Sequence, residues 1–313
     1  MKVAFFGSGF CAVRSLQGVS ASTHEIIRVV TMPPRGAGRG RKRRRTPVAD
    51  AAGDAGLDVV ECADVNADGF ADALRRLRPD VLCVVDFGQR IGRDVRGAAP
   101  HGAFNMHGSL LPALRGAAPI QWAIIRGHER TGATTFRLVD RMDAGPVYLQ
   151  QDTPIAPNET AEHLQKRIAA IGAELVVRTL DLLAAGTVEP TAQDESQATH
   201  APRLSKADGV LDFTAPAERV RNRIHGTWPW PGGQAVFVGA ARGRVDVVLG
   251  GADADNAVAG EAPGALDGEL CVACGSGRLR IRRIKPAGGR LMDWRDFVNG
   301  YGVREGDRFE KRA

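Results

Sequence analysis

Apolar and polar positions alternate in blocks through the first 190 residues of the chain. Short apolar runs with the length of buried strands are separated by stretches with the spacing of one helix face. The predicted strands cover residues 3–6, 26–30, 57–60, 81–85, 104–107 and 134–139, and the predicted helices cover 48–55, 70–77, 116–126 and 160–185. This alternation predicts an α/β fold with a doubly wound parallel sheet covered on both faces. In such sheets, ligands bind beyond the carboxyl ends of the strands.

The pattern changes after Gly186. Residues 187–203 are polar and include two prolines, which is typical of a linker. A helical pattern over 208–225 is then followed by strand-like runs separated by glycine-rich turns, which predicts a smaller β-barrel. The predicted organisation is a catalytic α/β domain over 1–190, a linker over 191–207 and a C-terminal barrel domain over 208–313.

The strand predicted over 104–107 places the first candidate chemistry at the carboxyl edge of the sheet. Side chains alternate faces in a strand, so Asn105 and His107 point the same way. An amide can donate to a developing oxyanion, and an imidazole can exchange a proton near neutral pH. Asp143, in a later loop, could orient the imidazole and stabilise its cationic form. The alternatives are a structural strand histidine and an aspartate that caps a turn.

No nearby motif supplies a serine or cysteine nucleophile for this site. The attacking group should therefore belong to the substrate, and direct transfer of an acyl or one-carbon unit to an amine fits the three side chains. The spacing of these residues leaves the identity of the acceptor open.

Composition and charge narrow the function classes. Of 313 residues, 43% are hydrophobic and 25% charged, and no apolar run approaches the roughly 20 residues of a membrane span. We expect a cytoplasmic protein, because the first strand meets Gly7 too early for a signal peptide. The odd number of cysteines fits a reducing compartment. Cys271 and Cys274 lack the further ligands of a closed zinc site, so no metal is expected.

The densest charge of the chain lies in a basic loop over residues 35–45. The net charge of +6 favours a polyanionic partner only moderately, but this loop leaves the sheet at the same edge as the candidate site. A flexible cationic loop there can follow a phosphate backbone and be ordered by it. The alternative is a solvated excursion. The pattern indicates a polyanion near the site and does not distinguish RNA from DNA.

The turn after the first strand, GSGFCA at residues 7–12, fits a dinucleotide-binding fingerprint. That fingerprint requires an acidic residue after the second strand, where this chain has Thr31, Met32 and two prolines. We therefore interpret the glycines as a tight strand-to-helix turn.

Several motifs together resemble those of the folate-dependent formyltransferases. The resemblance begins with NMHGSLLP at 105–112 and RGAAPIQW at 115–122 and covers nearly the whole chain. Matching segments elsewhere are GRGRK at 38–42, TGAT at 131–134, MDAG at 142–145, LSKADG at 204–209, WPG at 230–232 and FVNG at 297–300. The basic loop and the C-terminal matches select the branch that acts on aminoacyl-tRNA.

The resemblance implies transfer of a formyl group from 10-formyltetrahydrofolate, as co-substrate, to the α-amino group of methionyl-initiator tRNA. It implies a Rossmann-like first domain and an OB-like, tRNA-binding second domain in a monomer. The family's catalytic residues map onto Asn105, His107 and Asp143. Its folate-binding segments map onto Ser109, Leu110, Leu111, Pro112, Phe87 and Gln89. Its tRNA-binding residues map onto Arg39, Arg41, Lys42, Arg43, Arg44, Arg45 and Lys206.

Departures from the family pattern fall beside the site. Asp86 and Arg90 replace an alanine and an aliphatic residue at the expected pterin wall, while Ala113 and Leu114 replace an arginine and an aromatic. Two rival functions share the fold: a formyltransferase for nucleotide-linked amino sugars and a non-catalytic RNA-binding relative. The basic loop and barrel argue against the first rival, and the three candidate catalytic residues argue against the second.

Overall fold

The structure is a computed structural model that describes residues 1–37, 42–257 and 260–312. The chain forms two compact units that interleave in sequence. The first comprises Met1–Pro119, Thr131–Thr153 and Gln165–Ala201, and the second comprises Ile120–Arg130, Pro154–Leu164 and the chain from Pro202 onward.

Strands and helices alternate through the first 185 residues. In chain order they are β1 (Lys2–Gly7), α1 (Phe10–Ser20), β2 (Glu25–Thr31), β3 (Arg35–Ala37), β4 (Lys42–Arg44), α2 (Pro47–Asp54), β5 (Val59–Glu61), α3 (Phe70–Arg76), β6 (Val81–Val85), α4 (Arg93–Arg96), β7 (Ala103–His107), α5 (Pro119–Ile125), β8 (Arg130–Arg137), β9 (Val147–Pro154) and α6 (Ala161–Ala185). The remainder contains α7 (Ala217–Thr227), β10 (Gly233–Gly239), β11 (Gly243–Asp255), β12 (Val272–Ala273), β13 (Arg278–Pro286), β14 (Met292–Asp293), α8 (Trp294–Tyr301) and β15 (Arg308–Lys311).

The first unit is built on a seven-stranded sheet with the order β5-β2-β1-β6-β7-β8-β9. The strands from β5 to β7 are parallel, and β8 runs antiparallel to β7. Every residue of β6, an uninterrupted apolar strand, is buried, as expected for a sheet covered on both faces. The strand order reverses between β1 and β6, which places a ligand-binding crevice at their carboxyl ends.

The second unit carries an antiparallel sheet with the order β12-β13-β11-β10-β15. Ala265 bridges to β15 at Arg308, and Leu266 bridges to β12 at Val272, so the sheet nearly closes into a barrel. Its core includes Phe237, which packs edge-on against Phe297 at 5.3 Å between ring centroids. The predicted α/β fold with a smaller barrel-like C-terminal region is therefore confirmed.

Two predicted helices begin later than expected. The helix predicted from residue 116 begins at Pro119, because Gly116 has φ +125°, which is incompatible with a helix. The helix predicted from residue 208 begins at Ala217, since a proline at 216 disfavours the helical conformation in the residue before it. The basic loop was predicted to be flexible, but its described ends form regular structure. Its two arms pair as the antiparallel strands β3 and β4.

Candidate active site

β7 presents Asn105 and His107 on one face of the sheet. Met106, between them, points to the opposite face, where its side chain packs so closely on α6 that a Cβ at Gly172 would lie 2.6 Å from its methyl carbon. The alternation predicted from the sequence is thus observed, and both polar side chains stand at the carboxyl end of a parallel strand.

His107 is held in one ring orientation, with 8% of its side chain exposed. Its Nε2 lies 2.9 Å from the carbonyl oxygen of Leu114. A carbonyl only accepts, so this contact selects the neutral tautomer with the proton on Nε2. Nδ1 then carries a lone pair and lies 3.9 Å from Oδ2 of Asp143. The ring therefore offers Nδ1 as a base whose protonated form would face a carboxylate.

Asp143 is positioned by the backbone of a neighbouring loop. Its Oδ2 accepts a hydrogen bond of 2.8 Å from the N–H of Gly116, and its side chain is 13% exposed. Its own backbone has φ +51°, in the left-handed region. The sequence suggested that Asp143 orients His107, but the carbonyl of Leu114 makes the direct contact with the ring. Asp143 instead supplies a nearby negative charge.

Asn105 is half-buried beside this pair. Its amide makes no side-chain hydrogen bond to any residue that the structure describes, so both of its hydrogens are free for a bound molecule. An uncommitted amide next to a histidine base is the arrangement needed to contact an oxygen that gains charge when a carbonyl carbon becomes tetrahedral.

The segment after β7 is fixed mainly by Thr134 and Gln150. The Thr134 hydroxyl donates to the Ser109 carbonyl at 2.6 Å and accepts from the Leu111 N–H at 3.1 Å. Gln150 donates to the Leu111 carbonyl at 2.7 Å. Ser109 uses its hydroxyl internally, on the carbonyl of Ala113. Leu111 is buried, whereas Leu110 and Pro112 are half-buried and retain surface that a ligand could contact.

Phe87 and Gln89, both assigned to folate by the resemblance, have packing roles in the structure. Phe87 is buried against Phe6 at 5.5 Å between ring centroids. The amide nitrogen of Gln89 donates to the carbonyl of Cys62 at 2.9 Å and contacts the sulfur of Met32. Its amide hydrogens are therefore used within the fold. These two side chains hold the shape of the loop that follows β6.

Asp86 occupies the crevice between β1 and β6. Its carbonyl accepts from the N–H groups of Ser8 and Gly9, both at 3.0 Å. Its carboxyl group packs against Gly9 and accepts from the N–H of Cys11 in the first turn of α1, and burial raises its pKa to about 6. The helix end that would receive a pyrophosphate in a dinucleotide-binding fold thus faces a carboxyl group, which agrees with the tight-turn interpretation.

We call the paired strands β3 and β4 of the basic loop the basic hairpin. It follows the carboxyl end of β2, and β2 lies three strand positions from β7 in the sheet, or about 14 Å at the usual strand spacing. Arg43 and Arg44 are exposed, and neither forms an ion pair within the described part of the chain. Arg45 is tied to Glu61 at 3.1 Å. Arg39 and Arg41 lie outside the described residues, as does the side chain of Lys42. Lys206 is exposed in the second unit.

The described residues include histidines, cysteines and carboxylates, which are the usual ligands of metal ions in proteins. They contain no cluster of three or more histidine, cysteine, aspartate or glutamate side chains suited to one. Burial raises the pKa of the Cys274 thiol to about 12, which opposes the thiolate that zinc requires. Nor do the described helices include one long and apolar enough to cross a bilayer.

Leu114 and Gly116 contribute to the site, and neither contribution was predicted from the sequence. Both act through backbone atoms. The identity of residue 114 as a leucine therefore gave no indication that its carbonyl contacts His107. The glycine in RGAAPIQW was the only available signal, since a glycine in a loop often marks a positive φ.

Comparison with known proteins now defines the class. Residues 1–180 match the formyl transferase family, and residues 203–302 match the C-terminal domain of formyl transferases. The chain belongs to the formyl transferase family. Its full-length relatives include the methionyl-tRNA formyltransferase of Solibacter usitatus, which is 38% identical and aligns over 98% of both chains. That of Anaeromyxobacter sp. is 41% identical over 96% of this chain and 97% of the relative.

A solved structure supports the fold independently. The N-formyltransferase of Helicobacter canadensis, in complex with folinic acid and dTDP-3-aminofucose, superimposes with a TM-score of 0.66. The alignment covers 90% of this chain and 98% of the other, at 15% sequence identity. At that identity the likeness concerns the fold alone.

Proposed function

We propose that this chain transfers the formyl group of 10-formyltetrahydrofolate to the α-amino group of methionyl-initiator tRNA. The observation that carries the proposal is the full-length similarity, at 38–41% identity, to relatives named methionyl-tRNA formyltransferase. The placement of Asn105, His107 and Asp143 at one sheet edge supplies chemistry that suits this reaction.

The proposed reaction is a direct attack of the methionyl amine on the formyl carbon. A bond forms from the amine nitrogen to that carbon, and the formyl oxygen takes up negative charge. Nδ1 of His107 accepts the amine proton, while Asn105 donates to the oxyanion. Asp143, 3.9 Å from Nδ1, stabilises the imidazolium. Collapse breaks the bond to the folate nitrogen, which receives the proton from His107.

The folate is placed against the segment from Ser109 to Pro112. Leu110 and Pro112 offer the contact surface, since Leu111 and the Ser109 hydroxyl are used within the fold. Phe87 and Gln89 support the site by holding the neighbouring loop. In this proposal folate binds by its contacts with protein groups, and no metal is invoked.

The tRNA is assigned to the basic hairpin and to the second unit. Arg43 and Arg44 are exposed cations that can contact phosphate. Arg39, Arg41 and Lys42 extend the same basic run in sequence, and Arg45 anchors it through Glu61. Lys206 is proposed as a further phosphate contact. All proposed catalytic residues come from one chain, so we take a monomer acting in the cytoplasm as the working form.

The test is a formylation assay with three acceptors. Methionyl-initiator tRNA, methionyl-elongator tRNA and a dTDP-linked amino sugar are each incubated with 10-formyltetrahydrofolate, and the formylated product is identified by mass spectrometry. We expect formyl-methionine on the initiator tRNA at a rate far above that for the other acceptors. Formylation of only the amino sugar would overturn the proposal, as would tRNA binding without consumption of the formyl donor.

A further inference from the structure

Residues 191–201, predicted to be part of a linker, lie along the loop that carries Leu114 and Gly116. We call this segment the strap. It belongs to the first compact unit, together with the candidate catalytic residues. Its backbone pairs with that loop through a bridge between Arg115 and His200, and with the start of β9 through a bridge between Val147 and Thr191.

The strap fixes the carbonyl that orients His107. Leu114 is buried and has φ +60°, a left-handed conformation that is unfavourable for leucine and persists only when its surroundings enforce it. The Leu114 N–H donates to the Thr199 hydroxyl at 2.8 Å. The next N–H, of Arg115, donates to the Thr199 carbonyl at 2.9 Å. One threonine therefore holds the chain on both sides of the Leu114 carbonyl.

The strap also fixes the backbone of Asp143. The Gln193 amide nitrogen donates to the carbonyl of Asp143 at 2.9 Å and to that of Gly145 at 2.7 Å. The Gln193 oxygen accepts two hydrogen bonds from Arg115, at 2.7 and 3.1 Å. Arg115 is in turn paired with Glu195 of the strap at 2.9 Å. A single glutamine thus connects the loop of Asp143 to the loop of Leu114.

Gly116 shows how closely the strap is packed on the site. A Cβ at this position would lie 2.4 Å from the carbonyl oxygen of Ala201. The same glycine donates its N–H to the carboxylate of Asp143. The backbones at Gly116 and Ala201 therefore pack closely together. This packing fixes the position of the Gly116 N–H that donates to Asp143.

From these contacts we infer that Thr199 and Gln193 are positioning residues for formyl transfer. They act through the Leu114 carbonyl and the Asp143 backbone to set the tautomer of His107 and its distance from the carboxylate. The inference rests on the proposed function, in which His107 handles the proton.

The experiment compares Thr199→Val, which removes the hydroxyl at similar volume, with Thr199→Ser, which keeps it. With both substrates saturating, Thr199→Val should lower kcat about tenfold with KM values within about twofold, since small displacements at the reacting centre cost rate. Thr199→Ser should stay near the wild-type kcat. Thr191→Val is the matched control on the same strap, because the Thr191 side chain is exposed and the bridge to Val147 uses its backbone.

A second readout follows the imidazole directly. In ¹⁵N-histidine spectra, the His107 signal is assigned as the one that disappears in His107→Gln. In the wild type, the neutral His107 ring should carry its proton on Nε2. Thr199→Val should give a mixture of tautomers, and Thr199→Ser should match the wild type. If Thr199→Val fails to fold, Gln193→Met severs the connection from the other end and should lower kcat in the same way.

The outcomes separate the two proposals. Thr199→Val with unchanged kcat and an unchanged His107 tautomer would overturn the positioning role, while a large loss of kcat in His107→Ala would leave the proposed function standing. An unchanged kcat in His107→Ala would overturn the catalytic assignment itself, and the positioning role with it.

Discussion

Two buried histidines of this chain use the same ring nitrogen in opposite ways. Nε2 of His107 donates to the carbonyl of Leu114, whereas Nε2 of His225 accepts from the N–H of Ala252 at 3.1 Å. Protonation of His225 at Nε2 would therefore break the hydrogen bond from Ala252. The residue is only 3% exposed, so water cannot readily solvate the charged ring. Burial, with a smaller contribution from Arg221, lowers its pKa to about 4.

The lowered pKa of His225 predicts acid destabilisation of the second unit. In the unfolded chain His225 binds a proton near pH 6.5, whereas in the folded chain it does so only near pH 4. The contribution of neutral His225 to stability is therefore complete above pH 6.5 and is lost as the pH falls toward 4. The difference is about 3 kcal/mol in the free energy of unfolding. Urea unfolding should show that the free energy of unfolding falls more between pH 7 and pH 4.5 in the wild type than in His225→Gln. The glutamine oxygen can still accept the hydrogen bond from the Ala252 N–H at both pH values. Equal losses in both proteins would contradict this.

At the scale of elements, the strands and the position of the site could be predicted from sequence. Apolar runs locate β6 and β1 because strands buried on both faces need continuous hydrophobic residues. Alternation then placed Asn105 and His107 on one face. The left-handed backbone at Leu114 was not predictable, since leucine rarely adopts it and the strap that enforces it is distant in sequence. Residues 191–201 resemble a linker because they are polar, and the long-range contacts that fix them leave no signal in the local sequence.

The basic hairpin is proposed to bind tRNA, and its two exposed arginines allow a direct test. Arg43→Ala combined with Arg44→Ala should raise the KM for tRNA and reduce the slope of log affinity against log salt by up to about 2, because fewer counterions are released. The effect on kcat should be small. Arg75→Ala with Arg76→Ala on α3 removes the same charge elsewhere and serves as the control. An identical salt slope for the two double variants would reduce the hairpin to a solvated excursion.

At the scale of the whole molecule, the candidate chemistry lies in the first unit. Residues 105–112 and Asp143 both belong to it, as does the strap that adjoins them. The net charge of +6 agrees with a polyanionic substrate but does not identify one. The substrate class follows from the full-length relatives, because the three candidate side chains alone leave it open.

Asn105 and His107 are proposed to accelerate the formyl-transfer step rather than to bind either substrate. The most direct test is the single-turnover rate of formyl-methionyl-tRNA formation by Asn105→Ala and His107→Ala, with methionyl-initiator tRNA and 10-formyltetrahydrofolate both saturating. Loss of one oxyanion donor costs about 10²–10³ in rate, and loss of a general base costs about 10²–10⁴. We therefore expect Asn105→Ala and His107→Ala each to slow by at least about 10² while the Kd for tRNA stays near the wild-type value. A near wild-type rate in either variant would contradict the account.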